Sequence, residues 1–276
     1  RKTNLLNQNK MWRDRQIWQS DMRVIAGSLN PTKIEGIEVG SGMVEAKELR
    51  MALILLIDSE LYDYDVIRPF DPWKSELCTC PDKFSFNPYT GCSHGCLYCY
   101  ATYIPRFYWL REKKNLLRRL EKDLKKLESP LISMSNSSDP YPSVEKQYGI
   151  TRKCLEIMKG YRIKLLIVTK SDIVARYLNL LSEMQCAVSI SITSIQKNPL
   201  EPSAPEPERR VGALRKIYDA GIPAILRLDP IIPYVNENSI EDIIESCSFV
   251  DHIVTSTLKL RKDSFNRVIR RLPELE

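Results

Sequence analysis

At 276 residues and 43% hydrophobic content, the chain can bury a substantial core and suits one large α/β domain, alone or with an appendage. No stretch approaches the ~20 apolar residues that span a bilayer, so no membrane partner is expected. Its eight cysteines sit in an enzyme-like composition, which excludes a small secreted disulfide scaffold and points to a reducing, cytoplasmic setting, while a formal charge of +6 suits a phosphate-bearing partner without requiring one.

Residues 1–20 are polar and charged, with Trp12 and Trp18 interspersed, and carry no functional signal. Residues 22–34 read as a strand, a Gly-Ser-x-Asn-Pro-x-Lys turn and a helix start. That short piece resembles the opening of the inosine/xanthosine triphosphatase family, whose equivalent loop meets the nucleotide. The stretch that follows is far too short for a whole triphosphatase domain. A remnant strand-turn-helix is therefore expected, and residues 1–62 are assigned to an N-terminal appendage preceding a core domain at 63–276.

From Asp65 the chain becomes extended and Pro-punctuated. Cys78 and Cys80 follow, then residues 84–87 alternate as a short strand. Directly after it, Cys92, Cys96 and Cys99 fall at C-x-x-x-C-x-x-C spacing within Asn-Pro-Tyr-Thr-Gly-Cys-Ser-His-Gly-Cys-Leu-Tyr-Cys-Tyr. Thiolates select iron-sulfur clusters or zinc, and three protein ligands leave one position open for a substrate or cosubstrate. Two chemistries stay open on spacing alone: a cluster held by three cysteines, or a zinc knuckle completed by Cys78 and Cys80 in a nucleic-acid-binding protein. His94, inside the loop, is read as a residue that tunes or caps the centre.

Residues 110–128 place Leu116, Leu120, Leu124 and Leu127 at helical spacing, with many more Lys and Arg than acids, the clearest basic patch of the chain. Beyond it strands at 131–134, 163–169, 187–193, 224–228 and 252–258 alternate with helices at 144–159, 172–184, 206–220, 240–246 and 264–271. Successive β-α units imply parallel strands with helices outside. With the strand before the cysteines this makes about six units, short of the eight of a closed barrel. The Pro-rich segment 198–207 interrupts the rhythm and is a candidate lid or substrate loop.

Active sites of parallel α/β folds form at the carboxyl ends of the strands. There the sequence places the cysteine loop, Ser135 to Asp139, Thr169-Lys170-Ser171, Ser189 to Ser194, and Arg227-Leu228-Asp229-Pro230. Such hydroxyls and a carboxamide can hold an ammonium group and a ribose, while Lys170 or Arg227 can pair a carboxylate.

The cysteine triad, with Tyr98 just before its third member, resembles the radical S-adenosylmethionine (SAM) superfamily. That resemblance implies a four-iron four-sulfur cluster on Cys92, Cys96 and Cys99, SAM on the fourth iron, one-electron cleavage to methionine and a 5′-deoxyadenosyl radical, and an α/β partial (β/α)6 TIM-like barrel. It also implies a one-electron donor such as flavodoxin or ferredoxin. From Val66 onward the chain is similar to the spore photoproduct lyase group, also called DNA repair photolyase-like, on Asn-Pro-Tyr-Thr-Gly-Cys, Ser137-Ser138-Asp139, Thr169-Lys170-Ser171 and Arg227-Leu228-Asp229-Pro230-Ile231-Ile232-Pro233. The similarity implies that Ser138 binds the SAM amino group, Lys170 its carboxylate and the Ser191 region the rest, with Arg227 nearby. Tyr98 and Tyr100 match tyrosines proposed to relay a hydrogen atom, and a nucleic acid or another bulky substrate is expected. The lyases carry a hydrogen-donating cysteine where this chain has Asn136, so photoproduct repair itself is not implied.

Overall fold

The computed structural model describes residues 64–70, 81–259 and 261–273. The expected appendage at 1–62 and the pair Cys78 and Cys80 lie outside the described residues.

The first strand, β1 (Ile67–Pro69), runs antiparallel to β2 (Phe84–Phe86) with Ile67 opposite Phe86. A two-stranded ribbon, β3 (Tyr89–Thr90) with β4 (Arg111–Glu112), brackets the cysteine loop. Then come α1 (Leu116–Leu124), β5 (Leu131–Met134), α2 (Glu145–Tyr148), α3 (Ile150–Lys159), β6 (Lys164–Thr169), α4 (Leu178–Leu181), β7 (Cys186–Ser191), α5 (Pro207–Asp219), β8 (Ala224–Ile231), α6 (Ile240–Ser246), β9 (His252–Thr257) and α7 (Lys262–Arg271). Among the described residues one sheet has the order β1-β2-β5-β6-β7-β8-β9, parallel throughout except at β1. The six parallel strands are the six expected units, and the sheet is the open partial barrel.

Period-two alternation divides the two faces of this sheet. Phe86, Ile132, Met134, Leu165, Ile167, Val188, Ile190, Leu226 and Leu228 are buried in the apolar core. Residues of opposite parity face a cavity: Ser133, Leu166, Val168, Ser191, Arg227 and Asp229 line it. Register carries the polar set across neighbouring strands, with Ser85 opposite Ser133 and Ser191 opposite Arg227. One face thus holds the fold together while the other carries the chemistry.

Helix boundaries depart from the periodicity where buried polar groups intervene. The helix expected over 144–159 is broken at Gly149, which adopts φ +57°. Glu145, buried at the start of α2, turns its carboxylate onto the backbone N–H groups of Thr151 and Arg152 at 3.0 Å each and so caps α3. Residues 172–177 form a 3-10 helix rather than the start of an α-helix, with Ser171 accepting from the Ile173 N–H at its start. The helix expected over 110–128 is trimmed to α1, whose buried face carries Leu116, Leu120 and Leu124 as the spacing predicts.

That face also buries Asp123, which the apolar pattern does not foreshadow. Its carboxylate accepts from the backbone N–H groups of Asp65, Val66 and Ile67, at 2.7 to 2.9 Å to Oδ2, and so pins β1 to α1. Asp123→Ala orphans these donors, each costing about 1–3 kcal/mol when buried. An overall loss of about 3 kcal/mol is expected in denaturant unfolding, and a change under ~0.5 kcal/mol would contradict this role.

Candidate active site

The cysteine loop leaves the sheet after β2 and is held from two sides. On one side the Cys92 N–H donates to the Phe107 carbonyl at 2.9 Å. On the other, the Leu97 N–H donates to Leu200 O at 2.9 Å and the Ser203 N–H to His94 O at 3.1 Å. Gly91 makes the entry: it has φ +87°, and a Cβ there would lie 2.5 Å from the carbonyl oxygens of Phe107 and Trp109. Only glycine fits both the conformation and that approach.

Cys92, Cys96 and Cys99 are free thiols, and all three line one cavity of about 360 Å³ at the carboxyl ends of the strands. Burial pushes the Cys92 thiol up to about 12, with the Asp139 charge adding to it. Burial likewise raises Cys96 and Cys99, the latter opposed by the nearby charges of Lys170 and Arg267. One buried and two half-buried thiols on one cavity suit metal ligation, since bound cations reverse the penalty on the thiolate.

The same cavity brings together Tyr98, Tyr100, Asn136, Ser138, Lys170, Ser191 and Arg227, so the sequence-predicted site residues do converge. Their side chains are engaged in different ways. Ser138 Oγ donates to the Tyr89 carbonyl at 2.8 Å. The Asn136 amide is committed at both ends, Oδ1 accepting from Ser133 Oγ at 2.9 Å and Nδ2 donating to Ser85 Oγ at 2.9 Å, and its main-chain oxygen accepts from the Tyr100 hydroxyl at 2.7 Å. Asn136 thereby ties the end of β5 to β2 and to the cysteine loop. Arg227 pairs with Asp229 at 3.0 Å.

Two buried carboxylates organise this end of the barrel: Asp139, which the sequence reading placed at a strand end without a role of its own, and Glu201, which it did not single out. Asp139 accepts from Thr169 Oγ1 at 2.8 Å and from the Lys170 N–H at 2.7 Å, and its Oδ2 lies 3.1 Å from His94 Nε2. Burial works against its charge, but His94 and the backbone donors outweigh burial and hold the carboxyl below the usual range. His94 therefore links the cysteine loop to the ends of β5 and β6.

Glu201 is the second. Its Oε1 accepts from the Tyr98 hydroxyl and from Thr193 Oγ1 at 2.7 Å, and lies 3.8 Å from Lys170 Nζ. Its Oε2 pairs with Arg210 at 2.7 Å. Burial would raise its pKa, yet Lys170, Arg210 and these two hydroxyls together hold it down to about 2. The Lys170 ammonium also sits 5.7 Å from the centre of the Tyr98 ring. Segment 198–207, expected as a lid or substrate loop, is anchored at its start: Asn198, Leu200 and Glu201 are buried, and Asn198 and Glu201 join the barrel through this network, while Pro202, Ser203 and Glu206 are exposed. A sequence signal existed. Arg210 shares the i, i+3, i+4, i+7 stripe with Ala213, Leu214 and Ile217 of α5, so a cation stood where the pattern asks for an apolar residue and required a buried acid.

Residues 86–247 match the sequence pattern of the radical SAM superfamily, and this stretch contains the whole cysteine loop, the last residue of β2 and the parallel strands β5 to β8 entire. The chain belongs to the radical SAM superfamily. Its members use a four-iron four-sulfur cluster and SAM, and the three cavity-facing thiols of this radical SAM chain provide the donor set for such a cluster. Family membership also favours that assignment over a zinc knuckle.

An uncharacterized protein of Methanocaldococcus jannaschii is 34% identical over 163 residues, 55% of this chain and 61% of that protein. An uncharacterized protein of Acidianus two-tailed virus is 31% identical over 185 residues, 59% of this chain and 61% of that protein. The chain thus spans about three fifths of the length of these relatives. Among solved structures, spore photoproduct lyase complexed with dinucleoside spore photoproduct superposes with a TM-score of 0.58 at 20% identity, covering 74% of this chain and 64% of that one. At that identity the likeness is one of fold.

Proposed function

We propose that the protein cleaves SAM reductively and abstracts a hydrogen atom from a nucleic-acid substrate, in a reaction other than photoproduct repair, with its electron supplied by a donor such as flavodoxin or ferredoxin. The cluster, held by Cys92, Cys96 and Cys99, would supply the electron that cleaves SAM. Lys170, facing the cavity with its charge only partly offset by Glu201, is the cation suited to the SAM carboxylate. Ser138, Ser191 and Arg227 line the space left for the rest of the cosubstrate.

The observation that carries the substrate class is a set of exposed aromatic rings, two of them with an Arg beside them, in the chain that follows the cysteine loop. Tyr100 lines the cavity and is 44% exposed; Tyr103, Tyr108 and Trp109 follow it in sequence at 45%, 44% and 67%. Arg106 lies 5.5 Å from the Trp109 ring centre and Arg261 5.2 Å from that of Tyr103. Rings that stack on bases, beside guanidinium groups that attract phosphates, make a platform for an unpaired strand. Helix α1 and the two residues after it add exposed Arg118, Lys122, Lys125 and Lys126 to the basic character of the region that follows.

The chemistry diverges from lyase chemistry at Asn136. A substrate radical that must regain hydrogen is served by a weak thiol S–H bond, whereas a carboxamide holds its N–H hydrogens too strongly. Here the Asn136 amide is further occupied with Ser85 and Ser133. The test combines binding and turnover. Fluorescence anisotropy should show oligonucleotide affinity that falls with salt and drops by about 1–3 kcal/mol in Trp109→Ala. Reconstituted protein should convert thymine photoproduct slowly or not at all, and Asn136→Cys should raise any conversion. Salt-independent binding untouched by Trp109→Ala would remove the nucleic-acid reading, and rapid, clean repair by the unmodified protein would remove the reading of Asn136.

A further inference from the structure

Helix α7 lies outside the residues matched to the superfamily, yet one of its side chains reaches the cysteine loop. Arg267 Nε donates to Leu97 O at 3.0 Å, and Nη2 donates to Cys99 O at 3.0 Å and to Thr102 Oγ1 at 3.1 Å. Asp263, one turn earlier, receives Nη1 at 3.1 Å and accepts from the Thr102 hydroxyl at 2.6 Å. The guanidinium plane therefore spans the carbonyls on both sides of Tyr98, in a contact between residues 168 and 170 positions apart in sequence. Its side chain is 23% exposed and that of Asp263 46%, so the cation is the better shielded of the two charges.

Adding one electron to a cluster makes it one unit more negative. A cation fixed nearby stabilises that reduced form more than the oxidised one, and an anion does the opposite, most strongly where water is excluded. Lys170 is a second cation at this cavity, but it faces Glu201 at 3.8 Å rather than the loop's carbonyls. Asp263, fixed beside the same loop through Thr102 and Arg267, is a charge of opposite sign.

We propose that Arg267 is a positioning residue: it clamps the loop around the third cysteine and, balanced by Asp263, sets how readily the cluster accepts its electron. The proposal rests on the assignment of the cluster to Cys92, Cys96 and Cys99. It predicts opposite signs for two neighbouring charge changes, which a purely structural latch would not produce. Arg267→Gln should make reduction harder and Asp263→Asn easier, while Arg267→Lys, which keeps the charge but has fewer donors, should remain close to the parent.

The test is an EPR-monitored redox titration of anaerobically reconstituted protein, with iron and acid-labile sulfide assayed on each sample. A roughly tenfold change in the reduced-to-oxidised ratio at a fixed potential, equivalent to ~59 mV for one electron, is expected in each direction. Variants loaded to the parent's iron and sulfide content but sharing its midpoint would overturn the proposal alone. Should Arg267→Gln fail to load, Asp263→Asn and Arg267→Lys decide: an unmoved Asp263→Asn midpoint, or an Arg267→Lys midpoint as low as loss of the charge requires, counts against it. A parent protein that takes up no iron and sulfide overturns the cluster assignment and this proposal with it.

Discussion

Replacing Cys96 by Ala should abolish formation of 5′-deoxyadenosine from SAM in reconstituted protein, and Cys92→Ala and Cys99→Ala should do the same. Each of the three thiols lines the cavity, and no other cysteine among the described residues does so. Removing one direct ligand should cost more than the roughly 10–100-fold in metal affinity that loss of an outer-shell partner costs. Cys247 supplies the control. It is fully buried in the core behind the sheet, so Cys247→Ala should lower stability while leaving iron content and SAM cleavage intact. Unchanged 5′-deoxyadenosine formation by Cys96→Ala would overturn the assignment.

The second large effect is expected at Arg210. Its Nε donates to Pro205 O at 2.7 Å, its Nη1 to Ser191 O at 3.2 Å, and it is the closest cation to Glu201, with both side chains almost wholly buried. Arg210→Met leaves a buried carboxylate with only Lys170 and two hydroxyls, and breaking a buried pair in this way costs about 3–5 kcal/mol. Removing both charges in Arg210→Met with Glu201→Gln should cost less than Arg210→Met alone, because no stranded charge remains. The pH dependence follows from the same pair. Glu201 is held at about 2, below its ordinary value of 4.5, so its contribution is complete above about 4.5 and is lost as pH falls towards 2. Arg210→Met should flatten that acid limb in denaturant unfolding followed between pH 2 and 6. Stability within ~0.5 kcal/mol of the parent at neutral pH would contradict the network.

How much of this was legible in the chain depended on whether the information was local. The six parallel strands announced themselves because β2 alternates apolar and polar residues and the others are short, largely apolar runs closed by polar residues. The cysteine triad did so because its three ligands share one loop. Lys170 and Arg227 were found from strand ends, since the fold brings every such end to one rim, and Asn136 and Ser138, at another strand end, were singled out by the resemblance to the lyase group. The groups that lock the site together are long-range partners and left fainter traces. Asp123 holds β1 across some 57 residues, Glu145 breaks a helix that periodicity alone would continue, and Glu201 anchors the start of the Pro-rich segment to the barrel. Only Arg210 betrayed its role, by occupying an apolar stripe. Arg267 left no trace, because a basic residue on an amphipathic terminal helix reads as a solvated face until its carbonyl partners are known.

The central claim is that Cys92, Cys96 and Cys99 hold a redox-active cluster that cleaves SAM. It is tested most directly by incubating anaerobically reconstituted protein with SAM and dithionite, then quantifying 5′-deoxyadenosine alongside iron, acid-labile sulfide and zinc. The account predicts brown protein with iron and sulfide in equal amounts and 5′-deoxyadenosine formed only when the reductant is present. Colourless protein with stoichiometric zinc and no 5′-deoxyadenosine would contradict it.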